Sequence, residues 1–271
     1  MLNSDLSSKL EFLHDKLSRY NGILVAFSGG VDSSLLLKVA STTKVNILAV
    51  TALSPTYPEE EKEAATKLAN ELGVNHLVIY TNEMDNIDFT SNPPERCYFC
   101  KKELYNNLKE LAKKHNLEVI VDGTNADDKN DFRPGKRAAR ECGIKSPLQE
   151  VGLTKNEIRT LAKYLGLPNW DKPSMACLSS RIPYGESITP QKLQQIAHAE
   201  SYLHKLGFKE VRVRHHGSIA RLEVNPSAFS VVTDDSVRKE LISYFRKLGF
   251  TYITLDLQGF RSGSMNEVLK K

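Results

Sequence analysis

The chain has 271 residues, enough for one large or two modest domains at ~100–200 residues each, and long enough to fold without disulfides. Hydrophobic residues make up 40%, charged residues 26% and aromatic residues 8%, with 15 Gly and 11 Pro; these values exclude disordered, collagen-like and coiled-coil chains. Lys and Arg number 37 against 33 Asp and Glu, a net charge of +4, too mild to point to a nucleic-acid partner on charge alone.

The first twenty residues carry Asp5, Lys9, Glu11, Asp15, Lys16 and Arg19, which leaves no signal-peptide core there. Leu6, Leu10, Leu13 and Leu17 share one face, so residues 5–20 read as an amphipathic helix. The run 23–27, among the longest apolar ones, is far too short to span a bilayer. The sequence therefore predicts a cytoplasmic protein with no membrane partner. In that reducing compartment its four cysteines read as metal ligands or catalytic thiols rather than disulfides. Strand-like runs at 23–27, 45–51, 76–80 and 118–122 alternate with helical patterns at 33–42, 58–72 and 100–115, which predicts a parallel sheet with helices on both faces. Pro58, Glu59, Glu60 and Glu61 give the helix at 58–72 a start, and Gly73 gives it a stop. Pro134 and Gly143 bracket a short helix. Thr154 with Glu157 reads as a capping box for a helix at 155–165.

Residues 166–188 contain Gly166, Pro168, Pro173, Pro183 and Gly185 and read as a long loop. Trp170, Met175, Cys177 and Leu178 make it too apolar for a plain linker, and loops this long in compact chains are functional or disordered. A helix at 190–206, strands at 210–214 and 219–224, a helix at 234–247 and a strand at 251–256 then compose a small α+β domain. The boundary is placed near 185, giving domains 1–185 and 186–271. The fold class is α/β, a parallel-sheet domain followed by a smaller α+β domain.

Ser28-Gly29-Gly30-Val31-Asp32-Ser33-Ser34 joins the first strand to the helix expected near Ser33. The glycines allow a sharp turn and close approach to a ligand. Loop N–H groups and the helix N-terminus then face an anion, with Ser33 and Ser34 as further donors. Asp32 beside a phosphate calls for a cation such as Mg²⁺ between them. An ordinary strand–turn–helix junction with a Ser cap is the alternative. The string resembles the SGGxDS signature of the PP-loop ATP pyrophosphatase superfamily and lacks the Lys of a Walker A loop. The resemblance implies cleavage of ATP between its α- and β-phosphates, with pyrophosphate held in this loop, and adenylation of a substrate oxygen. It implies Ser28, Gly29, Gly30, Asp32, Ser33 and Ser34 as ATP-binding residues, with Asp32 also catalytic. Gly123-Thr124-Asn125-Ala126-Asp127-Asp128 resembles the superfamily's second nucleotide loop, placing Gly123, Thr124 and Asn125 at the carboxyl edge of the sheet. An Asx-rich turn is the rival reading of Asp127 and Asp128.

Cys97 and Cys100 form a CxxC string in which two thiolates can reach one metal centre. Cys177 is the third candidate, and Cys142 reads as a buried spare thiol. Three cysteines plus a His would suit zinc; three cysteines with an open position suit a 4Fe-4S cluster.

The string Pro173-Ser174-Met175-Ala176-Cys177-Leu178-Ser179-Ser180-Arg181 and the tail Gly263-Ser264-Met265-Asn266-Glu267 resemble the LarE family of ATP-dependent sulfur transferases over nearly the whole chain. The resemblance implies ATP-driven conversion of the carboxylates of pyridinium-3,5-biscarboxylic acid mononucleotide to thiocarboxylates, a step in making the nickel-pincer nucleotide of lactate racemase. In the sacrificial form, the cysteine matching Cys177 gives up its own sulfur; other members use two further cysteines and a 4Fe-4S cluster. With Cys97, Cys100 and Cys177 present, this chain resembles the cluster type, with sulfide or another sulfur donor as co-substrate and Cys177 as catalytic residue. The family resemblance also implies a homo-oligomer. Arg181, Arg212, Arg214 and Arg261 are the candidates for the substrate's phosphate and carboxylates, since a guanidinium fork suits such oxyanions. Ser180, Glu200 and Glu223 are further candidates. Solvated strand and helix faces are the bland alternative for each. A tRNA thiolase, an ammonia-using synthetase of the NAD or GMP type, and a non-catalytic nucleotide sensor or iron–sulfur carrier are the competing functions.

Overall fold

The computed structural model describes residues 2–55, 60–130, 134–173, 176–261 and 263–269, with backbone alone at 60, 129 and 130. The chain forms two compact units, Met1–Glu83 with Glu95–Met175, and Met84–Pro94 with Ala176–Lys271.

In the first unit β1 (Gly22–Ala26), β2 (Asn46–Leu53), β3 (Asn75–Tyr80) and β4 (Val119–Val121) make an all-parallel sheet in the order β3-β2-β1-β4. Gly22 pairs with Asn46 on one side of β1, and Ile23 with Val119 on the other. A central strand covered on both faces must be apolar throughout, and Ile23, Leu24 and Val25 are all buried. Alternate side chains enter different cores, as the strand period of two requires. Ile23 and Val25 pack with helices Ser4–Ser18, Val31–Ser41, Glu60–Glu71 and Lys155–Tyr164. Leu24 packs with Leu48, Val50 and Ile120 and with helices Arg96–Lys114 and Gly135–Glu141. The chain winds from β1 out to β3, then returns to place β4 on the other side of β1. That reversal opens a crevice at the carboxyl ends of β1 and β4, where open α/β sheets bind ligands.

Two helix starts that differ from expectation bear on the site. The helix expected near Ser33 begins at Val31, because Gly30 takes the extended cap conformation (ψ 159°) and Val31 is already buried. Asp32, Ser33 and Ser34 therefore lie in its first turn. The helix expected from residue 100 begins at Arg96, directly after Pro93, Pro94 and Glu95, so Cys97 and Cys100 are helical. Pro58 and Glu59, read as a helix start, lie outside the described residues, as do Ser174 and Met175.

In the second unit β5 (Val211–His216), β6 (Ile219–Val224) and β7 (Tyr252–Leu255) form a mixed sheet in that order, antiparallel then parallel. Gly217, at φ +60°, turns the β5–β6 hairpin. Leu203, Leu241 and Phe245, from helices Pro190–Lys205 and Asp235–Lys247, close the core over Val211, Val213, Leu222 and Val224. Within the long loop, Leu178–Arg181 is a 3₁₀ turn. Met84–Pro94 packs into this unit: Phe89 is buried, Ile188 N–H donates to Thr90 O at 2.8 Å, and the Asn92 amide donates to Ile182 O and Pro183 O at 3.2 and 2.7 Å. Among the described residues no helix is long and apolar enough to cross a membrane.

Candidate active site

In the first unit the crevice is edged by the loop Ser28–Ser34 after β1 and the loop Gly123–Asp128 after β4. Gly29 stands at φ +67°, and a Cβ there would lie 3.1 Å from Ala65 Cβ. Gly30 offers no side chain to cap the following helix. The first-turn N–H groups thus remain the natural partners of an anion. Ser33 Oγ donates to Gly30 O at 3.1 Å and accepts from Ser28 N–H and Oγ at 3.3 and 3.2 Å, which closes the loop on itself. Ser34 is wholly buried.

Gly123 comes so close to the first loop that a Cβ would stand 2.8 Å from Ser33 N. Asp122, buried at the end of β4, accepts from Thr124 N–H (3.1 Å), Thr124 Oγ1 (2.9 Å), Ser146 Oγ (2.7 Å) and Tyr105 OH (3.1 Å). Burial, then the neighbouring Asp122, hold the Tyr105 phenol well above its ordinary range. Asn125 and Asp128 bond each other's backbone N–H groups at 3.3 and 2.9 Å and fold the second loop. Thr124 and Asn125 thus use their side chains within the loop itself.

Asp32 points one oxygen at Lys155 Nζ, 2.5 Å away; its Oδ1 is buried and has no hydrogen-bond partner among the described residues. Lys155 N–H donates to Asp127 Oδ2 at 2.8 Å, so this residue links both loops. Neither Lys155 nor Asp122 was singled out from the sequence. Lys155 lies 123 positions from its partner, and only its place after the Thr154 cap was legible. Asp122 sits between a buried strand and a Gly-Thr-Asn string, a weak signal that could have found it.

Cys97 (exposed) and Cys100 (half-buried) are three residues apart on the first turns of Arg96–Lys114 and share a helix face. Cys142 is buried, with Sγ 3.9 Å from Asn106 Oδ1. None of the four cysteines is in a disulfide. Among the described residues no three His, Cys, Asp or Glu side chains are grouped to hold a metal ion.

The second unit carries Cys177 and the arginines. Cys177 is exposed, with Sγ 2.9 Å from Ser179 Oγ. Arg181 is buried and fully employed. Nε and Nη2 donate to the two oxygens of Glu200 at 2.9 and 2.7 Å, while Nη1 donates to Ala176 O, Cys177 O and Ser180 Oγ at 2.6, 3.0 and 3.0 Å. This guanidinium knits the turn that presents Cys177. Glu200 also accepts from Val213 N–H at 2.9 Å, so it ties Arg181 to β5. Arg214, also buried, donates to Ser180 O (3.0 Å), Glu223 Oε2 (2.7 Å) and Ser264 Oγ (2.8 Å). Glu223 has no exposed surface and takes Arg221 and Ser264 as well. Arg212 lies over the Phe260 ring at 5.2 Å and donates to Val211 O at 2.7 Å. Burial, then Arg181 beside it, push its guanidinium down to about 10. An arriving oxyanion would relieve that strain on the charge. Arg261 is half-buried, donating to Glu267 Oε1 and Gly259 O at 3.1 Å each.

The family of the queuosine biosynthesis protein QueC matches residues 22–126. Across 98% of this chain and 96% of its own length, the pyridinium-3,5-bisthiocarboxylic acid mononucleotide synthase of Lactiplantibacillus plantarum is 40% identical. The uncharacterized protein slr1717 of Synechocystis sp. is 46% identical over 98% of this chain and all of its own. An NH(3)-dependent NAD(+) synthetase of Methanococcus aeolicus is 31% identical over 61% of this chain and 68% of its own.

Proposed function

The chain belongs to the LarE family, and from that premise we propose that it is an ATP-dependent sulfur transferase acting on pyridinium-3,5-biscarboxylic acid mononucleotide. The carrying observation is 40% identity to a pyridinium-3,5-bisthiocarboxylic acid mononucleotide synthase along practically both whole chains. A carboxylate is a poor electrophile. Its oxygen attacks the α-phosphorus of ATP, the α–β bond breaks, and pyrophosphate leaves. Sulfide then attacks the acyl carbon, AMP departs with the C–O electron pair, and a thiocarboxylate remains with no net redox change.

Ser28, Gly29, Gly30, Ser33 and Ser34 shape the pyrophosphate cradle, and Gly123, Thr124 and Asn125 edge the nucleotide side. Asp32, with Oδ1 buried and unpartnered among the described residues, suits a Mg²⁺ ligand; the ion would neutralise pyrophosphate charge. Arg212 and Arg261 receive the substrate's phosphate and carboxylates, while Ser180, Arg181, Glu200, Arg214 and Glu223 hold those groups and the Cys177 turn. Cys97, Cys100 and Cys177, all outside disulfides, would be the donor set for a 4Fe-4S cluster. Such a cluster would supply an iron with an open position for sulfide. The enzyme acts as a cytoplasmic homo-oligomer.

The test is incubation of anaerobically purified protein with ATP, sulfide and the pyridinium nucleotide. AMP, pyrophosphate and thiocarboxylate are the expected products, and thiolation of tRNA instead would refute the assignment. Iron and sulfide are quantified in wild type and Cys97→Ala: brown colour lost in the variant supports the cluster. Colourless wild-type protein with a mass loss at Cys177 after turnover would establish sacrificial sulfur donation.

A further inference from the structure

The stretch Leu167–Lys172 carries none of the roles assigned above, yet it is tied down along its length. Leu167 is buried, and its N–H donates to Ala162 O at 2.9 Å. Trp170 packs on the same core, with Lys163 Nζ 4.5 Å from its ring centre. Lys172 pairs with Glu61 through its ammonium, accepts from Arg159 Nη2 at 3.4 Å, and donates its N–H to Asn169 O at 3.1 Å. From this strap Asn169 reaches the phosphate loop. Its Nδ2 donates to Gly29 O at 2.9 Å and to Ser34 Oγ at 2.8 Å. Chemistry fixes the amide's orientation, since only the NH₂ end can donate to a carbonyl. The Oδ1 end is buried and accepts nothing among the described residues.

An anion cradle needs N–H groups turned inward and carbonyls turned away. The Gly29–Gly30 pair is the loop's least restrained stretch, because glycine visits left- and right-handed conformations alike. We infer that Asn169 is a positioning residue for ATP: it draws the Gly29 carbonyl out of the cradle, anchors it beside the buried Ser34, and so holds the loop ready for phosphate before nucleotide arrives. This rests on reading Ser28–Ser34 as the ATP site.

The test titrates Mg·ATP, and separately inorganic pyrophosphate, into full-length wild type, Asn169→Ala and Asn169→Asp, alongside steady-state kinetics. Losing the clamp is expected to weaken ATP binding and raise its KM about tenfold, the worth of a part-buried hydrogen bond. The KM for the pyridinium nucleotide should stay unchanged. Asn169→Asp is near-isosteric and turns an acceptor toward Gly29 O. Its deficit relative to wild type should shrink as pH falls, because a protonated carboxyl can donate to that carbonyl again. A role confined to packing would show no such recovery. Folded variants that bind ATP within about twofold of wild type would overturn the inference, as would loss of fold in both variants. Wild type that binds neither ATP nor pyrophosphate would instead sink the underlying reading of the loop.

Discussion

Arg212 and Arg214 lie two apart on β5, on one face of the strand, and are employed differently. Arg214 is spent on Ser180, Glu223 and Ser264. Arg212 sits over Phe260, where burial, then the neighbouring Arg181, depress it to about 10. Arg212→Ala should therefore raise the KM for the pyridinium nucleotide about tenfold, leave the KM for ATP alone, and hardly move the melting temperature. Glu223→Ala should behave the other way. It leaves Arg214 buried without its carboxylate, a loss of about 3–5 kcal/mol read by urea denaturation. The SGGVDSS string made the phosphate loop legible because its whole logic is local. The duties of Glu200 were not legible: its partners Arg181 and Val213 come from other elements, and a helical Glu in sequence shows nothing of them.

Loop against loop, Gly123 leaves a Cβ less room than any other described glycine of the first unit. The Cβ of Gly123→Ala would press on backbone at Ser33 N, 2.8 Å away, and backbone cannot step aside as a side chain can. The expected result is a lowered melting temperature and at least about tenfold weaker ATP binding by titration. Gly143→Ala meets nothing within 4 Å and bears only the strain of φ +74°, so about 1 kcal/mol of stability is lost and ATP binding is kept. At the end of β5, His215 donates Nε2–H to Gln195 Oε1 (3.1 Å), because the Gln195 amide NH₂ is committed to Leu248 O. Among the described residues its Nδ1 is buried without a hydrogen-bond partner, as is His216 Nε2. Burial holds both imidazoles below their ordinary range, with Lys192 adding to the effect at His215 and Glu186 opposing it. The unfolded chain then takes up protons first as acid is added, so stability falls as pH drops below about 6.5. Melting temperatures from about pH 7.5 to about pH 5.5 should decline, and less steeply in His215→Gln. The strands and long helices were readable from apolar periodicity and capping residues. The short helices Ile87–Thr90 and Phe229–Thr233 were not, since one turn is too brief to show a period.

Each unit of the molecule closes its own apolar core. Phe245 is wholly buried in the second, and Phe245→Ala should destabilise that unit by about 3–5 kcal/mol while Mg·ATP affinity persists. Calorimetry with and without nucleotide would check both. Composition marks a change of texture after residue 166, but nothing in it attaches Met84–Pro94 to the second unit. That attachment rests on one buried ring and a few backbone bonds made far along the chain.

Because Met84–Pro94 belongs with Ala176–Lys271, the C-terminal portion is not a self-sufficient cassette. A chimera that exchanges only residues after 176 between relatives would strand Phe89 and leave the Asn92 amide facing foreign carbonyls at positions 182 and 183. Any transplant must move as two pieces of gene.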